Sequence, residues 1–375
     1  MRILFVTHYC DMYGANMALY KLIREIKESS VHEPMLLIPG ESDMTKAMDE
    51  IGVKYFVSPI TQWCAVDSTP LRFFVKKCLR KPHIAKEVNT LYELLKNEKI
   101  DIIHTNSSVV VHGALLAEKL GCKHIWHIRE FSIEHYNNKY FYSDSFVSDA
   151  FEKADKVIAI SDAIKDNYQT RYPGASVVRI YDGVSDIPLE EINEKIDNEK
   201  VRFVYAGYLF PMKKQDEVID ACRALMAQGV TDFEFLLAGN GKEDYKALLE
   251  KKISEYGLAN NVKLLGYVKD INKLFCEADI GVIASRYEGF GLVTAEYMLR
   301  KKPVIGYNHA GTAEIVVDGE TGLLYSNIDE LVLCMKKMIE HRELWRDMGE
   351  KGRKRILENF TDKINAENIM KLYDK

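Results

Sequence analysis

The chain has 375 residues, a formal charge of −5, 47% hydrophobic and 29% charged residues. This length suggests two domains, and the composition is that of a globular chain able to bury a large core. The mildly acidic balance, with no basic tail and no run of stacked aromatics, argues against a nucleic-acid partner.

Short apolar runs rich in Val and Ile open the chain and recur along it: RILFVTH, PMLLIPG, KYFVSP, IDIIHTN, KHIWHI, KVIAIS and VVRIYDG. Each reads as a buried strand, and segments such as 15–28 and 109–120 between them carry apolar residues at helical spacing. Strand–helix alternation implies a doubly wound parallel sheet with helices on both faces. The pattern fills a first domain, residues 1–185. A polar, acidic stretch, SDIPLEEINEKIDNEK at 185–200, reads as a linker. The alternation restarts with VRFVYAG, FEFLLAG, NVKLLGY, IGVIAS and KPVIGY, giving a second domain at 186–360. The helical segment 361–375 stands beyond it, and its expected place is packed back on the first domain. The expected fold is α/β, two Rossmann-like halves facing a cleft, with chemistry in the loops after the strands.

The seven cysteines are scattered and form no CxxC pair. A reduced cytoplasmic chain is therefore expected, rather than a disulfide framework or a zinc site. The opening apolar run is too short for a signal peptide, and no run reaches the ~18 residues of a membrane span. Eight of the ten histidines lie in the first half, His135 among them, without the spacing of a metal cluster. No metal is expected. The segment PLRFFVKKCLRKPHIAKEV carries six basic residues and one acid. Leu71, Phe74, Val75 and Cys78 share one face of it. Two readings stay open: an ordinary surface helix with that face in the core, or residues 71–86 resting on an anionic membrane.

The most informative string is IGVIASRYEGFGLVTAEYMLRKKPVIGY. Residues 280–285 read as a strand, 286–291 as a loop and 293–301 as a helix halted by Pro303. Gly289 and Gly291 allow close approach of a ligand, and the start of the helix is an anion site. Glu296 is placed near the first turn, where a dipole-complementing role is the plainer alternative. Two acids this close, on one loop–helix element, suit hydroxyl binding better than a glycosidase pair.

Glu288-x7-Glu296, led by EGFGL, resembles the E-x7-E signature of retaining GT-B glycosyltransferases (glycosyltransferase family 4-like, group 1). The segments YAGYLFPMKKQDEVIDA, LLAGNGKEDYKALL, VKLLGYVKDINKLFCEADI and AGTAEIVVDGETGLL resemble the family in the same order, as do VIAISDAIKDNY and RIYDGV upstream. The resemblance covers nearly the whole chain and is most specific in the second half. It implies a retaining, metal-independent transfer from a nucleotide-diphospho-sugar to a glycan or lipid-linked acceptor. Cell-envelope or capsular polysaccharide synthesis, on the inner face of the cell membrane, is the implied setting. It assigns Glu288, Phe290, Gly291 and Leu292 to the sugar and phosphate, and Glu296 to the ribose. Lys213 is assigned to the leaving diphosphate, with Gly207 at the family's glycine. Tyr208 stands where the family usually has arginine, a departure that removes a charge. Gly14 and, less directly, Asn16 belong to the phosphate loop of the first half. His127 would touch the donor sugar, and Arg129 the acceptor or phosphate. Gly239, Gly241 and Val268 lie where backbone reads the base.

Two other functions fit these motifs. One is a nucleotide-sugar epimerase of the same fold. The other is a catalytically silent nucleotide-sugar-binding partner, for which Tyr208 argues. A dinucleotide oxidoreductase is disfavoured because neither half carries GxGxxG.

Overall fold

The computed structural model describes residues 1–66, 69–134, 137–188 and 199–374. Most of the expected linker (189–198) and His135 lie outside the described residues. The chain divides into two compact units, Met1–Gly183 with Asp362–Lys375, and Val184–Thr361.

In the first unit the strands are β1 (Arg2–Val6), β2 (Glu33–Ile38), β3 (Lys54–Val57), β4 (Cys64–Val66), β5 (Ile102–Asn106), β6 (Lys123–Ile128), β7 (Asn138–Tyr140), β8 (Lys156–Ala159) and β9 (Val177–Arg179). Seven form one sheet in the order β3-β2-β1-β5-β6-β8-β9, every pair parallel. β4 and β7 form a small antiparallel ribbon. The central strands β1, β5 and β6 are buried along nearly their whole length because helices cover both faces. The helix Gly14–Ser29 buries Ala18, Leu19, Leu22, Ile23 and Ile26, the i, i+3, i+4 rhythm of an amphipathic helix. The last helix, Asp362–Tyr373, belongs to this unit: Ala366, Ile369 and Tyr373 join the core with Ile3, Phe5 and Leu22, and Lys21 reaches Asp362 at 3.5 Å.

The helix expected at 109–120 begins only at His112 (His112–Leu120), since the Val109 carbonyl accepts from the Trp63 N–H at 3.2 Å. The basic segment is a helix, Pro70–Leu95. The expectation that its apolar face enters the core does not hold at its start. Leu71, Phe74, Val75 and Leu79 are 74%, 62%, 47% and 67% exposed, and Cys78 is exposed too. The inward contact is made by Phe73, 5.4 Å from the Phe141 ring.

The second unit holds β10 (Val201–Ala206), β11 (Phe233–Ala238), β12 (Val262–Gly266), β13 (Ile280–Ile283), β14 (Val304–Tyr307) and β15 (Gly322–Tyr325). Their order is β12-β11-β10-β13-β14-β15, again all parallel. β15, inside the segment read only as a motif, is an additional strand. The order in which strands are added reverses at β10, to β12 on one side and from β13 to β15 on the other, which makes the gap between β10 and β13 the topological switch point, where ligands of such sheets bind. The helix expected at 293–301 runs Leu292–Leu299, because Lys301 turns to φ +58°. Glu296 therefore stands in its second turn, not its first.

Among the buried histidines of the first unit are His104, His124 and His127. Burial holds each below its ordinary 6.5, His124 at about 3. They are neutral when folded, whereas the unfolded chain protonates near 6.5. The unfolded state thus binds more protons in acid. Stability is complete above that value and falls below it, by about 1.4 kcal/mol per pH unit for each histidine. Urea midpoints at about pH 7 and pH 5.5 should drop accordingly, and His124→Gln should flatten the drop. An unchanged slope in that variant would contradict the assignment.

Candidate functional site

In the second unit the loops after β10, β11 and β12 lie one on another. Gly207 N–H donates to the Ala238 carbonyl (2.9 Å), Leu209 N–H to Asn240 O (2.8 Å), and Gly239 N–H to Gly266 O (2.8 Å). Gly239 has φ +143°, and a Cβ there would lie 2.0 Å from the Gly207 carbonyl oxygen. Only glycine permits that approach. Beyond Gly207 the chain makes a 3-10 turn, Pro211–Lys213, and Lys214 turns left-handed (φ +59°) before the helix Gln215–Ala227. The Tyr205 hydroxyl donates to the Lys213 carbonyl at 3.0 Å, and the Gln215 amide to the Tyr208 carbonyl at 3.0 Å. Tyr208 itself points its ring outward and is exposed. Val268 is half-buried in the loop after β12.

These constraints aim Lys213. Its Nζ lies 2.5 Å from Glu288 Oε1, both side chains largely shielded from water. Two residues 75 positions apart thus meet at the switch point, one on the loop after β10 and one on the loop after β13. Lys213 is not a solvated surface lysine. Arg286, two residues before Glu288, is ion-paired with Glu217 and lies 3.6 Å over the Tyr307 ring. Sequence reasoning passed over it, though it sits in the quoted string.

Gly291, at φ +98°, starts the helix Leu292–Leu299, and no side chain caps it. Two buried hydroxyls, Thr294 Oγ1 and Thr312 Oγ1, have no hydrogen-bond partner in the structure. Both flank Gly291, 3.1 and 3.5 Å from where a Cβ would stand. Uncapped backbone N–H groups, a helix dipole and two unpartnered hydroxyls make a polar cradle for an anion. Phe290 is buried, and its carbonyl lies 2.2 Å from where a Cβ on Gly311 would be. The Gly311 N–H donates to the Glu288 carbonyl at 3.0 Å, and Ala310 before it is held at φ +51°. Strain of this kind in a loop seated on Glu288 fits a built site. Glu296 is half-buried one turn further on. Among the described residues no three His, Cys, Asp or Glu side chains gather as a metal would need.

In the first unit Gly14, at φ +45°, opens the helix after β1. Asn16 is buried and its side chain is engaged: it accepts from Thr7 Oγ1 (2.6 Å) and donates to the carbonyls of Tyr9 (2.9 Å) and Asp11 (3.0 Å). Its part is to shape the loop. Arg129 is also engaged rather than open to a phosphate. Its Nε donates to Asn106 Oδ1 at 2.7 Å and its guanidinium is ion-paired with buried Asp182. His127, at the end of β6, has its Nδ1 3.0 Å from His104 Nε2, while its own Nε2 is buried without a hydrogen-bond partner. Asp182 and His104 were not singled out from the sequence. Asp182 lies inside the quoted RIYDGV, and His104 is one of the eight first-half histidines.

Both halves of the chain match known families. The model described as Glycosyltransferase Family 4 matches residues 13–186, and that described as Glycosyl transferases group 1 matches residues 186–355. An uncharacterised glycosyltransferase of Methanocaldococcus jannaschii is 30% identical over 75% of this chain and 77% of its own. The Escherichia coli UDP-Gal:alpha-D-GlcNAc-diphosphoundecaprenol alpha-1,3-galactosyltransferase is 24% identical over 96% of both chains. The crystal structure of Anabaena HepE in complex with UDP superposes with a TM-score of 0.78, at 21% identity over the whole of both chains. Two Rossmann-like units with such neighbours define the GT-B fold. The chain belongs to the group 1, family 4 glycosyltransferases.

The close approach at Gly239 is testable. Gly239→Ala should cost more than about 2 kcal/mol, combining a strained φ with a backbone clash. Gly229→Ala, also at positive φ but facing open space, should cost only about 1–2 kcal/mol. Thermal unfolding of the two variants, side by side, checks the difference.

Proposed function

We propose that this chain is a retaining glycosyltransferase that uses a nucleotide-diphospho-sugar donor and needs no metal. The observation that carries the reading is the Lys213–Glu288 pair beside the uncapped helix Leu292–Leu299. An ammonium, helical N–H groups and the hydroxyls of Thr294 and Thr312 converge there, as a leaving diphosphate requires. Pairing with Glu288 keeps the lysine from being an unopposed, half-buried cation before substrate arrives.

In the proposed reaction the acceptor oxygen bonds to the anomeric carbon as the bond from that carbon to the diphosphate oxygen breaks. The departing oxygen takes the acceptor's proton on the same face, so the configuration is kept. Lys213 and the backbone N–H groups hold the developing charge. Glu288 and the Phe290–Leu292 backbone fix the sugar, Glu296 the ribose, and Gly239 and Val268 the base. His127 is assigned to the sugar. Tyr208 leaves the phosphates one charge poorer than the family's usual arginine, which places more weight on Lys213. Glu288→Ala should abolish transfer while the chain stays folded, with the unfolding midpoint lowered by the loss of the Lys213 partner, and Lys213→Ala should lower kcat on the order of 10²–10³-fold. Substantial transfer by Glu288→Ala would overturn the assignment. Incubating the donor without acceptor separates transfer from epimerisation.

The acceptor is proposed to be a glycan or lipid-linked sugar of the cell envelope, in keeping with the lipid-diphosphate substrate named for the Escherichia coli relative. No described helix is long and apolar enough to cross a membrane. The start of the helix Pro70–Leu95 supports contact with an anionic bilayer from the cytoplasmic side. Leu71, Phe74, Val75 and Leu79 are exposed there among Arg72 and Lys76, while the charged ends of Arg80 and Lys81 lie over the rings of Phe141 and Tyr142. Apolar side chains set among bases bind anionic lipid by both burial and charge. The chain should co-sediment with vesicles containing phosphatidylglycerol and not with neutral ones. Phe74→Ser with Leu79→Ser, or Arg72→Glu with Lys76→Glu, should release it; retention by both double variants would remove the membrane contact.

A further inference from the structure

Tyr373, near the end of the last helix, is buried beneath the first unit's sheet. Its hydroxyl lies 2.7 Å from His104 Nδ1, and His104 Nε2 lies 3.0 Å from His127 Nδ1. The three rings form a chain, at centroid separations of 5.9 Å and 5.1 Å. Two proton arrangements would satisfy these contacts. In one, every proton points toward His127; in the other, every proton points back toward Tyr373.

The surroundings choose between them. Arg129 Nη2 lies 3.5 Å from His127 Nδ1, and a guanidinium can only donate. His127 Nδ1 must therefore be an acceptor. His104 then carries its proton on Nε2 and leaves Nδ1 to receive the Tyr373 O–H. The reverse arrangement would set an Nδ1–H of His127 against the Arg129 N–H donor and leave the buried phenol proton without an acceptor, which is unfavourable on both counts. Asp182 Oδ1, 3.9 Å from His127 Nε2, also favours a proton over a lone pair on that nitrogen. Burial keeps both imidazoles neutral and the phenol protonated.

We infer that Tyr373, acting through His104, is a positioning residue that fixes His127 in the tautomer presenting Nε2–H as a hydrogen-bond donor. The catalytic meaning of this donor rests on the assignment of His127 to the sugar; the tautomer itself does not. Neutral Nε2–H has no protein partner. It is suited to a sugar hydroxyl or ring oxygen and unsuited to taking a proton from one.

The experiment is long-range ¹H–¹⁵N NMR on the full chain with ¹⁵N-labelled histidine, His127 being assigned by its loss in His127→Ala. Wild type should show the Nε2–H pattern for both His104 and His127. Tyr373→Phe removes one oxygen and should mix the His104 tautomers, shift the His127 signals and lower kcat about three- to tenfold, with a smaller change in donor KM. His104→Gln keeps an N–H toward His127 Nδ1 and should stay within about threefold of wild type, whereas His104→Leu should not. An Nδ1–H pattern at His127, or signals unmoved by both Tyr373→Phe and His104→Leu, would overturn the inference. If wild type transfers no sugar from any donor, the functional reading fails, while the NMR pattern still decides the tautomer.

Discussion

Parallel strands have one consequence from which the rest of this protein follows: all their carboxyl ends open on the same edge. In the second unit that edge gathers the loops after β10 and β13 on either side of the switch point. The Lys213–Glu288 ion pair closes the gap between them. Neither residue could reach the other without the central position of β10, hydrogen-bonded to β11 on one side and β13 on the other. The stacked loops at Gly207, Gly239 and Gly266 hold the lysine's loop from one side, and Gly311 holds the glutamate's loop from the other. Backbone bonds thus set where each loop stands, and the ion pair joins the two side chains.

The first unit handles charge differently. Arg129, Asp182, His104 and His127 are buried in it, and apart from His127 Nε2 their polar atoms are engaged by one another and by Asn106 and Tyr373. A buried pair such as Arg129–Asp182 adds little net stability, but removing one partner typically costs about 3–5 kcal/mol. Its service is directional. With Asn106 on Nε and Asp182 on Nη1, the guanidinium has only one way to face His127.

The strand–helix alternation of both halves was legible because strands buried on both faces read as unbroken apolar runs. β4 and β7, three residues each, leave no periodic trace, and β15 was hidden in a stretch notable for its glycines. In the second unit the candidate residues were legible because a loop that meets a ligand through backbone and carboxylates needs Gly and Glu at fixed spacing. The first unit's network was not. The partners of His104 come from β6 and from a helix 269 positions away, and only the tertiary fold brings them together. Thr294 and Thr312 were missed for a similar reason: a hydroxyl in a helix looks ordinary until burial leaves it without a partner.

The chain leaves the first unit at Gly183 and returns to it at Asp362, and Val184 and Thr361 pair side by side at the crossing. A ribosome therefore finishes the second unit before it makes the helix that completes the first. At ~5–20 residues per second, the intervening stretch occupies roughly 10 to 35 seconds. Throughout that interval the groove awaiting Ala366, Ile369 and Tyr373 stays uncovered on a nascent polypeptide, and His104 waits for its phenol. Order of synthesis and order of completion run opposite ways in this molecule.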